Sequence, residues 1–202
     1  MKTFTKELQE NMSPQAAIDR LKDGNKRFVD RRKAERDLLM QMDQTSAGQF
    51  PFAALLSCID SRVPAELVFD QGIGDVFNVR VAGNIVNRDV LGSLEYSCKV
   101  AGSKVIVVLG HTKCGAVTAA CNQVELGNIT HLLNKIKPAV KSVMKGEDPD
   151  PKTIEKVTLK NIELSIERIR DESPILAEME ENGNIMIIGA VYDVSSGVVC
   201  FF

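Results

Sequence analysis

The sequence predicts an α/β fold with a mostly parallel central sheet flanked by helices and led by an N-terminal helical arm. Short, nearly continuous apolar runs recur along the chain, as in strands covered on both faces. Segments of helical periodicity lie between them, and glycine, proline or a capping residue punctuates most boundaries. Strands alternating with helices in this way build parallel βαβ units.

Ser13-Pro14 reads as a helix N-cap followed by proline at the first helical position, and Ala17, Leu21 and Phe28 continue that helix toward Asp30. Residues 1–36 form the arm, and this helix is a candidate to reach onto a partner subunit. The basic stretch Lys26 to Arg36 is interleaved with Asp30 and Glu35 and reads as a solvated helix face. Residues 37–51 are mixed and end in a loop at Gly48 and Pro51. Phe52 to Cys58 reads as the first buried strand, and Asp75 to Val81, closed by Gly83, as the second. Val90, Leu94, Cys98 and Ala101 recur at helical spacing before a terminating Gly102.

Lys104 to Gly110 is the clearest strand, and residues 115–121 open the helix after it. Residues 128–143 read as a helix that Pro138 can interrupt. A loop over 146–151 precedes a long helix, opened by Asp150-Pro151 and marked by Ile154, Val157, Asn161, Ile162 and Ile169. Residues 184–191 and 198–202 are late strands. No linker or internal repeat divides the chain, so residues 1–202 are expected to form a single domain.

Composition narrows the function. Hydrophobic residues are 44% and charged residues 26% of the 202, the ordinary range for a chain with its own core. A net charge of −2 argues against nucleic acid or an anionic membrane as partner. No apolar run approaches bilayer length, and residues 1–11 lack the apolar block of a signal peptide. The expected location is the cytoplasm, where the five cysteines stay reduced and serve packing, metal binding or catalysis.

Two clusters carry chemistry, each directly after an expected strand: Cys58-Ile59-Asp60-Ser61-Arg62 and His111-Thr112-Lys113-Cys114-Gly115. Ligands of open α/β sheets bind outside the carboxyl ends of the strands, so Cys58, His111 and Cys114 can converge there. Gly115 would permit the tight turn between His111 and Cys114. Two thiolates and an imidazole are zinc ligands, and three protein ligands leave the fourth tetrahedral position open, as in a catalytic site. Asp60 can accept a hydrogen bond from metal-bound water, and Arg62 can hold that carboxylate ionised by paired hydrogen bonds. Cys98, Cys121 and Cys200 read as buried thiols and His131 as a surface residue. Cys58 to Arg62 is too short for a phosphatase loop, and Gly72-Ile73-Gly74 lacks the third glycine of a dinucleotide fingerprint.

The pair Cys-x-Asp-Ser-Arg and, about fifty residues on, His-Thr-x-Cys-Gly resembles the β-class carbonic anhydrases. The similarity is strongest from Gln49 through Val117 and weaker from the N-terminal helix to Asp193. The resemblance implies Zn2+ on Cys58, His111 and Cys114, with Asp60 and Arg62 as a catalytic dyad. It further implies attack of zinc-bound hydroxide on carbon dioxide to give bicarbonate and a proton. Gln49, Phe77 and Tyr96 match substrate-pocket positions that relatives supply from a neighbouring subunit, which implies a homodimer or homotetramer. Gly83 and Gly115 match positions where backbone passes close to the site. Leu55 stands where one branch of the family carries a regulatory tryptophan, so that branch's bicarbonate regulation is not expected. A carbon disulfide or carbonyl sulfide hydrolase is an alternative on the same scaffold. A zinc-stabilised, non-catalytic binding protein is another.

Overall fold

The computed structural model describes residues 3–144, 146 and 149–202, so the loop expected over 146–151 lies partly outside the described residues. Its helices, in chain order, are α1 (Lys6–Glu10), α2 (Pro14–Val29), α3 (Leu38–Thr45), α4 (Ala65–Val68), α5 (Arg88–Glu95), α6 (Gly115–Cys121), α7 (Gly127–Leu133), α8 (Lys137–Val143), α9 (Pro151–Glu172) and α10 (Pro174–Glu181). The strands are β1 (Ala53–Ser57), β2 (Val76–Arg80), β3 (Val105–His111), β4 (Met186–Tyr192) and β5 (Val199–Phe201). They form one sheet in the order β2-β1-β3-β4-β5, parallel throughout except for the antiparallel β4–β5 pair.

The central strands are apolar on both faces because both faces are covered. Alternate residues of β1 and β3 divide between two cores. Ala53, Leu55, Val105, Val107 and Leu109 pack with Ala17, Ile18 and Leu21 of α2. Ala54, Leu56, Ile106 and Val108 pack with Leu94 of α5, Ile162 and Ile169 of α9 and Leu176 of α10. The period of two therefore sends successive residues to opposite layers. A third cluster, containing Cys58, Cys114, Val117, Leu133, Ile136 and Val157, closes the carboxyl end of β1 and β3.

The expected caps are present. Ser13 accepts a hydrogen bond from the Ala16 amide at 3.1 Å, and Asp150 accepts one from Thr153 at 2.7 Å. Local structure sharpens the sequence reading at several points and corrects it at one. Residues 38–45, inside the stretch read as mixed, are helical, with Asp37 capping the Met40 amide at 2.9 Å. The helix over 128–143 is interrupted as expected, into α7 and α8, with Pro138, which has no amide to donate, inside the first turn of α8. Ser173-Pro174 ends α9 and starts α10 by the cap-then-proline device. The Lys26–Arg36 stretch is not merely a solvated face. Arg27 and Arg36 turn inward onto Asp70, whose side chain is only 3% exposed. Among the described residues no helix is long and apolar enough to cross a membrane.

Candidate metal centre

After β1 the chain pairs β2 on one side and then crosses to place β3 on the other, so the strand order reverses between β1 and β3. Crevices at the carboxyl ends of strands beside such a reversal are where open α/β sheets bind ligands. Cys58 directly follows β1, His111 ends β3, and Cys114 is the N-cap residue of α6. Register pairs Ser57 with Leu109, which brings Cys58 level with the end of β3. The fold thus gathers the three residues from two adjacent strand ends.

Their ligand atoms all lie within 4.8 Å of one another, and all three residues are buried. A zinc ion bonded at about 2.0–2.3 Å to tetrahedral donors sets them roughly 3.3–3.8 Å apart, within that limit. His111 Nδ1 lies 2.9 Å from the Thr112 carbonyl. A proton on Nδ1 donated to that oxygen leaves Nε2 with a free lone pair. His111 Nε2 is buried and has no hydrogen-bond partner among the described residues. A buried polar atom without a partner is costly, and a cation facing it removes the cost. The donor set therefore fits zinc on its own geometry.

The two thiols act on each other directly. The Cys114 side chain, hydrogen-bonded to Cys58, holds the Cys58 thiol well below its ordinary value, assisted by His111 and the Gly83 amide. The same interaction, with burial, pushes Cys114 up. A metal held there would take both sulfurs as thiolates, because the thiolate is the ligand. Cys98 behaves differently: burial alone pushes it up to about 12, as expected of a packing thiol. Cys200 is exposed on β5, correcting the expectation that it is buried, whereas Cys98 and Cys121 are buried.

Asp60 lies beside this group, with Oδ2 3.8 Å from His111 Nε2. Arg62 Nε donates to Asp60 Oδ1 at 2.9 Å and Nη2 to Oδ2 at 2.8 Å; the Arg62 backbone amide adds a third bond to Oδ1 at 2.9 Å. These bonds, led by the guanidinium, hold the Asp60 carboxyl far below the usual carboxylate range. Arg62 also donates to the Lys113 carbonyl at 3.2 Å, tying the first cluster to the second.

Two further anchors were not legible in the sequence. Arg80, at the end of β2, donates to the carbonyls of Cys58 and Asp60 at 3.1 and 2.7 Å and fixes the loop between them. Thr112 accepts from the Val194 amide at 3.1 Å and donates its own amide to Tyr192, pinning the second turn to β4. Neither residue type announces such a role, since the partners are distant in sequence. His131, by contrast, is exposed as expected and lines a separate cleft of about 580 Å³ with Arg88, Lys135 and Arg168.

The glycine expectations divide. Gly83 is required: its φ is +67°, and a Cβ there would lie 2.6 Å from Ile136 Cδ1. Gly115 is not required by sterics, because a Cβ would meet nothing within 4 Å. The turn is instead made by Lys113, at φ +56°.

Gln49, Phe77 and Tyr96 do not join the trio within this chain. Gln49 lines a cleft of about 420 Å³ with Thr45, Gly48 and Ile73. Phe77 on β2 pairs with Ala54, four residues before Cys58, roughly 13 Å along the strand from the ligand. Tyr96 meets the Phe77 ring edge-on at 6.1 Å and is half exposed.

The carbonic anhydrase family profile matches residues 53–199. Carbonic anhydrase 2 of Mycobacterium tuberculosis is 34% identical over 190 residues, which cover 93% of this chain and 92% of that protein. The carbonic anhydrase of Mycolicibacterium smegmatis is 33% identical over 195 residues, covering 94% and 93%. A β-carbonic anhydrase structure from Aspergillus fumigatus superposes with a TM-score of 0.73 at 24% identity, over 93% of this chain and 89% of that one. The Coccomyxa β-carbonic anhydrase, solved in complex with acetazolamide, gives 0.71 at 26% identity over 79% and 75%.

Proposed function

Because this chain belongs to the β-class carbonic anhydrases, we propose that it catalyses reversible hydration of carbon dioxide to bicarbonate and a proton at a zinc ion held by Cys58, His111 and Cys114. The observation that carries the proposal is the buried, unpartnered His111 Nε2 within 4.8 Å of the Cys58 and Cys114 sulfurs. Zinc bound there lowers the pKa of a coordinated water to about 7, which makes hydroxide available near neutral pH.

The chain's own residues do the rest. Asp60 accepts a hydrogen bond from the attacking water through Oδ2, the oxygen nearest His111 Nε2, and so orients the attacking lone pair. Arg62 keeps Asp60 ionised and grips both its oxygens through Nε and Nη2, which fixes the plane of the carboxylate. Over the whole reaction, water adds to carbon dioxide: one carbon–oxygen π pair would move onto oxygen as the new bond forms, and the proton given up by the water would pass to solvent.

The substrate pocket is completed by a second copy of the chain. Tyr96, stacked edge-on against Phe77, is half exposed, as is Ile73, which lines a cleft with Gln49. Exposed apolar side chains of this kind suit an interface, and Phe77 stands on β2, the edge strand of the sheet among the described residues. Across such an interface each copy supplies the three pocket residues to the other's metal site, giving a homodimer or a multiple of one. Residues 1–202 act as one domain in this reading. The two ligand thiols must stay reduced, which supports a cytoplasmic location.

Stopped-flow measurement of carbon dioxide hydration by zinc-loaded protein at mildly alkaline pH tests the proposal. Rapid hydration that disappears when zinc is chelated is the expected result. Bound zinc without hydration would overturn it, and turnover of carbon disulfide by the same protein would move the assignment to that substrate.

A further inference from the structure

We infer that Asn161, in the middle of α9, is a positioning residue for the metal ligand Cys58, acting through the Gly83 turn. The inference rests on the reading of Cys58 as a zinc ligand.

The connection is a short chain of hydrogen bonds. The Gly83 amide donates to Cys58 Sγ at 3.3 Å. The Gly83 carbonyl accepts from Asn161 Nδ2 at 2.9 Å, across 78 residues of sequence. Asn161 is 3% exposed and lies on the inner face of α9 between the fully buried Val157 and Ile162, with Thr158 and Ser165 also buried there. An apolar side chain of similar size would fill that place without needing a partner. The carboxamide instead satisfies one particular carbonyl, that of the residue whose amide meets the sulfur.

The turn needs such a hold. Gly83 and Asn84 are consecutive left-handed residues, at φ +67° and +43°, and left-handed backbone at a non-glycine persists only where its surroundings over-determine it. Val81 closes the turn by accepting the Asn84 amide at 2.9 Å. Ile136 and Ala116 fill the space a Gly83 side chain would take, while Asn161 grips its carbonyl. The Gly83 peptide is thus held on its carbonyl side with its N–H turned to the sulfur. An N–H on a thiolate is a charge-assisted hydrogen bond that orients the sulfur and draws charge from it. Outer partners of this type set how tightly a ligand holds its metal. Ser165, one turn further along α9, reaches the Asn84 carbonyl only at 3.5 Å and has no link to the sulfur, so it serves as the control.

The test uses Asn161→Leu and Ser165→Ala beside the unaltered protein. Zinc affinity is measured by chelator competition, and the thiolate-to-cobalt charge-transfer absorption is recorded after cobalt substitution. Thermal unfolding of the metal-free proteins monitors the fold, and Asn161→Ser replaces the leucine variant if that variant does not fold. The expected result is a loss of zinc affinity of about ten- to hundredfold in the Asn161 variant, with a displaced charge-transfer band, while Ser165→Ala keeps both. Unchanged affinity and band in the Asn161 variant would overturn the inference alone, as would equal losses in both variants. Absence of the cobalt–thiolate band in the unaltered protein would instead remove the metal reading, and this inference with it.

Discussion

Two aspartates ten residues apart, Asp60 and Asp70, are each clamped by arginine, and the two clamps do different work. Asp70 is spent completely. Its Oδ2 accepts from Arg27 Nε at 2.6 Å and from the Ala34 amide at 3.1 Å, and its Oδ1 accepts from Arg36 Nη1 at 2.5 Å. Its backbone carbonyl accepts from both arginines as well. The carboxylate and the Arg36 side chain are almost fully buried, and Asp70 holds a left-handed φ of +46°. Asp60 takes three bonds from a single residue, Arg62, which is half exposed, and keeps Oδ2 3.8 Å from His111 Nε2. A carboxylate saturated by two distant arginines fastens the N-terminal arm to the body. One held by a single local arginine stays ionised and retains capacity toward the metal centre.

The largest effect expected from breaking this contrast is on turnover. Replacing Asp60 by asparagine should lower carbon dioxide hydration by about two to four orders of magnitude, the usual worth of a positioned proton acceptor. Zinc content and the unfolding midpoint should change little, because Arg62 is half exposed and water can solvate it once Asp60 is neutral. Stability should respond in the opposite way. Asp70→Asn leaves Arg27 and Arg36 facing a neutral side chain, and breaking a buried ion pair costs about 3–5 kcal/mol. Chemical denaturation of that variant checks the figure, and a loss below about 1 kcal/mol would place Asp70 among the ordinary surface pairs.

Acid sharpens the same contrast. Burial alone would push the Asp70 carboxyl up, but the guanidiniums of Arg27 and Arg36 outweigh it and leave it below the ordinary value. Its contribution to stability is therefore full above the unfolded carboxylate value of about 3.9 and is lost as pH falls through the lower folded value. The unaltered protein should lose stability over that acid range more steeply than Asp70→Asn, as read from denaturant midpoints between pH 5 and 2. The smallest effect concerns the arm without its clamp. Ser13→Ala removes the cap of α2 and should cost about 1 kcal/mol. With no shared partner, that loss should add to the loss in Asp70→Asn; marked non-additivity would couple the cap to the clamp.

Legibility in the sequence followed distance along the chain. The layer order, the parallel sheet and the convergence of Cys58, His111 and Cys114 could be read because each depends on a local pattern or on placement at a strand end. Asp60 and Arg62 could be paired because they are two residues apart. The Asp70 clamp could not, since Arg27 and Arg36 lie 43 and 34 residues before it, and Lys26 to Arg36 read as a solvated face. Arg80 and Asn161 escaped for the same reason: each serves a backbone group brought near only by the sheet and by α9. Gly115 shows the reverse error, where a glycine suggested a turn that Lys113 makes. Gln49, Phe77 and Tyr96 cannot be placed by one chain's fold alone, because their proposed site belongs to a second copy.

The most direct test is the stopped-flow rate of carbon dioxide hydration by Asp60→Asn and Asp70→Asn, measured side by side at matched zinc content and per folded molecule. The expected result is a rate reduced at least about a hundredfold in the Asp60 variant and close to that of the unaltered protein in the Asp70 variant. An undiminished rate in Asp60→Asn with zinc bound would contradict the assignment of Asp60 to the reaction.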